Sequence, residues 1–184
     1  VDPATGLMSL KALEQKLQQG ELEGTLPKVV VPVHLTGSCC DMAAIGLLAE
    51  RYGFAVLEDA SHAVGGRYKG EPVGNCRHSA ITVFSFHPVK IITTGEGGLA
   101  TTNDYVLAKC MEELRSHGIV RAHERFEQLA TGPWFYEQQQ LGFNYRMTDI
   151  QAALGLSQLK SLDEIVIERN KLLFNYRELL SDLD

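Results

Sequence analysis

The sequence contains no run of 18 or more apolar residues, which excludes a helical membrane span. It also has no surplus of positive charge. Seventeen Lys and Arg stand against 23 Asp and Glu, for a formal net charge of -6. A nucleic-acid surface needs clustered cations to neutralise phosphates, so that class is disfavoured, although a local basic pocket for a small phosphorylated ligand is not. The four cysteines, Cys39, Cys40, Cys76 and Cys110, show no C-x-x-C spacing. No metal or disulfide framework is therefore expected, and reduced, buried thiols in a cytoplasmic protein are. No strict G-x-G-x-x-G follows a strand-like run, which disfavours a dinucleotide-binding oxidoreductase. Val1-Asp2-Pro3 offers neither an initiator Met nor the basic and apolar regions of a signal peptide, so a fragment of a longer product is expected.

What remains is ordinary globular material: 184 residues, 45% hydrophobic and 22% charged. Short strand-like runs alternate with helical periods, the pattern of an α/β protein with a mostly parallel sheet flanked by helices. Ser9 is placed to cap a helix carrying Leu10, Leu13 and Leu17, with Gly20 as its stop. Residues 29–33, 54–57, 80–86 and 98–102 read as strands. Asp41 opens a helix that Gly53 closes, and Asn103 or Asp104 opens another that Gly118 closes. Residues 119–145 have no clean period but are rich in aromatics, which predicts an ordered functional loop. Thr148 with Gln151 and Ser161 with Glu164 have capping-box spacing, the second opening a long helix through Leu180.

Ligands of a parallel sheet gather at the carboxyl ends of its strands, where Asp59 and Ser85 fall. Asp59 is either a helix cap or a carboxylate facing a cationic nitrogen. At hydrogen-bond distance and an effective dielectric of 20, such a pair is worth roughly 4 to 6 kcal/mol before desolvation. That would keep a pyridine nitrogen protonated, as an electron-sink cofactor requires. Lys90 is either a solvated charge or an amine desolvated enough to act as a nucleophile. It sits between an aromatic strand and the turn Thr93-Thr94-Gly95-Glu96-Gly97-Gly98, where backbone can lie close to a ligand. Ser85, five residues earlier, can offer its hydroxyl to a phosphate.

Together these residues resemble the DegT/StrS family of sugar aminotransferases. The resemblance runs from about Val29 to the end. It rests on P-V-H-L-T-G at 32–37, E-D-A-S-H-A at 58–63, V-G-N at 73–75, S-F-H-P-V-K at 85–90, T-T-G-E-G-G at 93–98, R-S-H-G at 115–118 and G-F-N-Y-R-M-T-D-I-Q-A-A at 142–153. It implies the large pyridoxal-phosphate-binding domain of the aspartate-aminotransferase-like fold (fold type I), incomplete at both ends. Residues 1–160 would belong to that domain, and 161–184 would form a long helix leading toward a small C-terminal domain. The family places a further phosphate-binding turn, a ring-stacking aromatic and the first strands before Val1, so this chain alone is expected to be inactive.

The resemblance also implies roles. Asp59 would pair with the pyridine nitrogen and His62 would lie beside the ring, where the bland alternative is a surface or capping histidine. Ser85 would bind the cofactor phosphate. Lys90 would carry the cofactor and shuttle the proton; family members with histidine there dehydrate sugars instead of aminating them. Asn144 would reach the neighbouring subunit's phosphate in a homodimer with shared active sites. Arg146 would pair nearby or meet the substrate.

H-P-V-K, P-W-F-Y-E at 133–137 and Q-L-G-F-N-Y-R at 140–146 look like the pseudaminic-acid branch of the family. That branch aminates C4 of a UDP-linked 4-keto-6-deoxy-N-acetyl hexose, with glutamate as the amino-acid donor. His87, Trp134 and Tyr136 are then candidates for the nucleotide-sugar substrate, the aromatics offering flat faces. An aromatic cluster that merely anchors a long loop is the alternative. Another keto-sugar position, another nucleotide or a non-catalytic relative are the competing readings.

Overall fold

The computed structural model describes residues 1–183. Its helices are α1 (Leu10–Glu23), α2 (Met42–Tyr52), α3 (Tyr105–Leu114), α4 (Asp149–Leu159) and α5 (Leu162–Leu179). Its strands are β1 (Val29–Val30), β2 (Ala55–Asp59), β3 (Arg67–Tyr68), β4 (Glu71–Pro72), β5 (Ile81–Ser85), β6 (Gly98–Thr101), β7 (Ile119–Val120) and β8 (Glu137–Gln138). The main sheet has the order β1-β2-β5-β6. β1 with β2 and β2 with β5 are parallel, as expected of strands separated by crossovers. β6 runs antiparallel to β5, because the 86–97 loop returns the chain directly without a crossover helix.

Asp41 accepts the Ala44 N–H at 3.3 Å to open α2, and Gly53 closes it in the left-handed conformation. Ser9 caps α1 through the Ala12 N–H, but the helix runs past Gly20 to a left-handed Gly24. Gly20 serves a different purpose. A Cβ there would stand 3.4 Å from the Thr25 carbonyl oxygen, so the residue lets the chain fold back over the helix end. Leu17 of α1 and Met42, Ile45 and Tyr52 of α2 pack with Val30, Phe54 and Val56 around β1 and β2. Each such side chain contributes about 1.5–3 kcal/mol when fully buried. This core fixes where β2 ends, and hence where Asp59 lies.

Three further expectations need correcting. Thr148 and Gln151 form both halves of a capping box, but Ser161 makes no capping hydrogen bond. Lys160 before it is already helical and Ser161 has φ −103° and ψ 11°, so the extended geometry that aims an N-cap hydroxyl is missing. α3 stops at Leu114, ahead of Gly118, whose N–H instead returns to the Glu113 carbonyl at 2.8 Å. Of the four free thiols, Cys40 and Cys76 are buried and Cys39 is half-buried, but Cys110 is exposed. Among the described residues no helix is long and apolar enough to cross a membrane, and no group of three or more His, Cys, Asp or Glu is placed to hold a metal.

Candidate active site

The parallel register of β2 and β5 sets Asp59 opposite Val83, two residues before Ser85. Both residues therefore end adjacent strands on the same sheet edge. The Asp59 backbone is held from both neighbours. Its N–H donates to the Pro32 carbonyl and its carbonyl accepts from the His34 N–H, each at 2.9 Å, while Ala60 N–H donates to Val83 at 2.9 Å. Its side chain accepts the Ser61 N–H at 3.0 Å. Burial pushes the Asp59 carboxyl up, but hydrogen bonding to Ser61 and the charges of His62 and Lys90 outweigh it. The net effect holds Asp59 below the ordinary carboxylate value, as an anion near neutral pH.

Lys90 reaches this corner from the 86–97 loop, and several bonds set the loop's path. The Lys90 N–H donates to the His87 carbonyl at 2.9 Å, and the His87 N–H donates to Ser85 Oγ at 3.4 Å. The His87 ring folds back on the same turn, its Nδ1 accepting from Val89 N–H at 3.3 Å. Thr94 N–H and Thr93 Oγ1 both donate to the Phe86 carbonyl, at 3.0 and 2.8 Å. The glycines permit the close approach. A Cβ on Gly98 would stand 2.7 Å from the Phe84 carbonyl oxygen, and one on Gly97 would stand 2.5 Å from Thr94 Oγ1. From outside, α4 braces the turn: Gln158 accepts the Thr93 N–H at 2.9 Å and Gln151 donates to the Glu96 carbonyl at 3.0 Å.

His62 sits half-buried beyond Asp59, its Nδ1 accepting the Thr36 N–H at 3.3 Å. Thr36 adopts φ 56°, sparsely populated for a residue with a Cβ, to present that donor. Asp59, His62, Ser85, His87 and Lys90 thus share one strand edge. Asn144 and Arg146 are exposed. Asn144 pairs with Ser116 in an isolated antiparallel bridge, and Met147 leads the chain against Gly97. Trp134 and Tyr136 lie in the irregular stretch between β7 and β8. They are 73% and 52% exposed, and Tyr136 stacks under the Arg121 guanidinium, 5.2 Å from its ring centre. The adjoining Gln138, Gln139 and Gln140 donate to the His117 carbonyl, the Arg125 carbonyl and the Glu113 carboxylate.

Three residues at this edge had no role assigned from sequence: His34, Thr36 and Glu58. The first two lie inside P-V-H-L-T-G and the third opens E-D-A-S-H-A. Their signal was a polar residue in an apolar strand context. Glu58, 6% exposed, accepts from His34 Nε2 at 2.9 Å, from Thr82 Oγ1 at 3.1 Å and from the Ser79 hydroxyl.

An ionised carboxylate, a lysine and a serine hydroxyl at the strand ends, beside a glycine-rich turn, define an α/β domain of the pyridoxal-phosphate-binding class. The chain belongs to the DegT/DnrJ/EryC1/StrS aminotransferase family, which it matches over residues 1–184. It is 44% identical over 156 residues to GDP-perosamine synthase of Caulobacter vibrioides, covering 85% of this chain and 38% of that protein. It is 42% identical over 155 residues to the UDP-4-amino-4-deoxy-L-arabinose–oxoglutarate aminotransferase of Shewanella sediminis, covering 84% and 39%. The chain thus spans about two fifths of the length of these curated relatives. Among solved structures it superposes on PseC of Helicobacter pylori, an aminotransferase of pseudaminic acid biosynthesis, with a TM-score of 0.82 and 32% identity over 97% of this chain and 43% of that one. Pyridoxal phosphate is the family's cofactor, and a member is solved in that form.

The residues fit that group. Asp59 is held ionised, as a protonated ring nitrogen requires, and the charge of Lys90 bears on it. Ser85 presents a hydroxyl from the end of the adjacent strand.

Proposed function

We propose that the protein containing this chain transfers an amino group from an amino acid to the keto carbon of a nucleotide-linked sugar. The observation that carries this reading is the shared strand edge of Asp59, Ser85 and Lys90, with Asp59 held ionised against the Lys90 charge. When bound, pyridoxal phosphate supplies an electron sink for charge released as the donor loses a proton. Asp59, held ionised, would keep the ring nitrogen protonated, an interaction that counts for more where negative charge develops. Lys90 Nζ would be the group that attaches the cofactor and, as a free amine, the base that moves the proton. Ser85 donates its hydroxyl to the phosphate. His62, steadied by the Thr36 N–H, would help hold the ring.

The finer reading is C4 of a UDP-linked 4-keto-6-deoxy-N-acetyl hexose, with glutamate as donor. The likeness to PseC and the motifs at 87–90, 133–137 and 140–146 support it, as does the name of the Shewanella relative, which couples a UDP-linked 4-amino sugar with oxoglutarate. The Caulobacter relative is named for a GDP sugar, so the nucleotide is the less constrained element. In this reading His87, Trp134, Tyr136 and Arg146 meet the substrate. The working unit is a cytoplasmic homodimer in which Asn144 reaches the neighbouring subunit's phosphate, and a C2 pair makes both sites equivalent.

The test is turnover by full-length protein with glutamate and a UDP-linked 4-keto-6-deoxy-N-acetyl hexose. One 2-oxoglutarate should form per amino sugar. Turnover only with a GDP-linked keto sugar would move the nucleotide assignment, and none with any keto sugar would reject the reading.

A further inference from the structure

The Asp59 corner stands on a buried charged group that the proposed chemistry does not use. Glu58 points away from Asp59, as successive residues of a strand must, into a space where His34 is 1% exposed and Thr82 is fully buried. A carboxylate in that position is costly unless donors surround it. Three do: the His34 ring at 2.9 Å, Thr82 at 3.1 Å and Ser79. The His34 ring has a defined polarity as well. Its Nδ1 accepts the Cys40 N–H at 3.2 Å, which leaves Nε2 as the proton-bearing atom that donates to Glu58.

The same histidine touches the site through its backbone. Its N–H donates to the Asp59 carbonyl at 2.9 Å, so the 32–34 segment clamps Asp59 from both ends of the residue. Two residues on, Thr36 N–H holds the His62 ring. Moving the His34 ring therefore displaces the backbone that positions both Asp59 and the histidine beside it.

We infer that His34 and Glu58 form a buried positioning pair that aims Asp59 and His62 at the cofactor ring. This rests on the function proposed above. Neither residue touches the reacting atoms. Both act through the chain segment they tie to β2, and their effect should appear in how firmly the ring nitrogen keeps its proton.

The experiment uses full-length protein with three variants, Glu58→Gln, His34→Gln and Ser79→Ala, each loaded with pyridoxal phosphate. Gln at 58 offers one acceptor oxygen and an NH2 group to a cluster of donors, so the clamp loosens while the volume is kept. The readout is the pH midpoint of the visible band of lysine-bound cofactor, measured beside the thermal midpoint. A less firmly protonated ring nitrogen withdraws less charge from the lysine linkage, which then keeps its own proton to higher pH. The expected result for Glu58→Gln and His34→Gln is an upward shift of about one pH unit. The glutamate half-reaction should slow by about tenfold to a hundredfold, with little change in KM. Ser79→Ala, which removes one peripheral donor, should shift the band the same way by less, and it serves if the other two do not fold.

A second readout needs no cofactor. The 15N shifts of the His34 ring in wild type should report a proton held on Nε2 throughout the neutral range. Thermal midpoints that fall while the band midpoint stays put would overturn the proposal and leave the pair a purely structural one. A His34 ring that carries its proton on Nδ1 alone, leaving none for Glu58, would overturn it as well. If wild type forms no band at all, the cofactor reading itself fails and the positioning role fails with it.

Discussion

Two regions of the chain are built to different standards. Between β1 and β6, the backbone around Asp59, Glu58 and the 86–97 loop is bonded from several directions, and the polar groups beneath it are buried and paired. From residue 119 onward, order comes from short pairings and long helices with apolar faces in the open. Leu156, Ile167, Leu172 and Phe174 are exposed, and the irregular stretch between β7 and β8 hangs on side-chain bonds such as Arg125 to Glu113. Chemistry that depends on sub-ångström placement belongs in the first region. Recognition of a varied sugar fits the second, because loops change without disturbing the strands.

The contrast can be broken most severely at Asp59. Asp59→Asn keeps the shape and the Ser61 contact but removes the charge. It should slow the glutamate half-reaction by about 10²–10³-fold, the scale of losing one preorganised electrostatic contact. Cofactor affinity should change much less. Single-turnover absorbance measurements separate the two, and near-normal rates would reject the electron-sink role.

Glu58 probes the foundations of the same region. Burial pushes its carboxyl up, but hydrogen bonds from His34, Ser79 and Thr82 outweigh that and hold it below the ordinary value. A depressed folded-state value means stability that is fully present above the ordinary carboxylate range and lost as pH falls through the folded value. Wild type should therefore lose part of its stability on acidification, and Glu58→Gln should flatten that limb. At pH 7 the variant should be weaker by about 1–3 kcal/mol, from donors left without an acceptor. Urea midpoints at several pH values check both statements.

In the second region the expected effects are smaller. Thr148→Ala removes the capping box of α4 and should cost about 1 kcal/mol. Because α4 braces the 93–96 turn through Gln151 and Gln158, a loss well above that would show that the two regions are more tightly coupled than their burial suggests.

How much could be read in advance follows the same division. Asp41, Gly53, Asp104 and Thr148 act locally, through caps and turn geometry, and the sequence reveals them directly. The strand ends at Asp59 and Ser85 were legible because apolar runs stop there. Gly20 and Ser161 misled, because each meets a local rule that tertiary surroundings override: a chain reversal packs on Gly20, and a continuing helix carries Ser161 past cap geometry. The His34–Glu58 pair was not legible as a pair. Its members lie 24 residues apart, and only the register of β2 against the 32–34 segment brings them together. Trp134 and Tyr136 carried an aromatic signal whose position no period could specify, and they lie exposed on the irregular stretch between β7 and β8.

The central claim is that Lys90 is the residue to which the cofactor attaches. Full-length protein incubated with pyridoxal phosphate, reduced with borohydride and digested should carry the phosphopyridoxyl mass on the peptide containing Lys90, and Lys90→Ala should carry none. That mass on a different lysine, or its persistence in Lys90→Ala, would contradict the account.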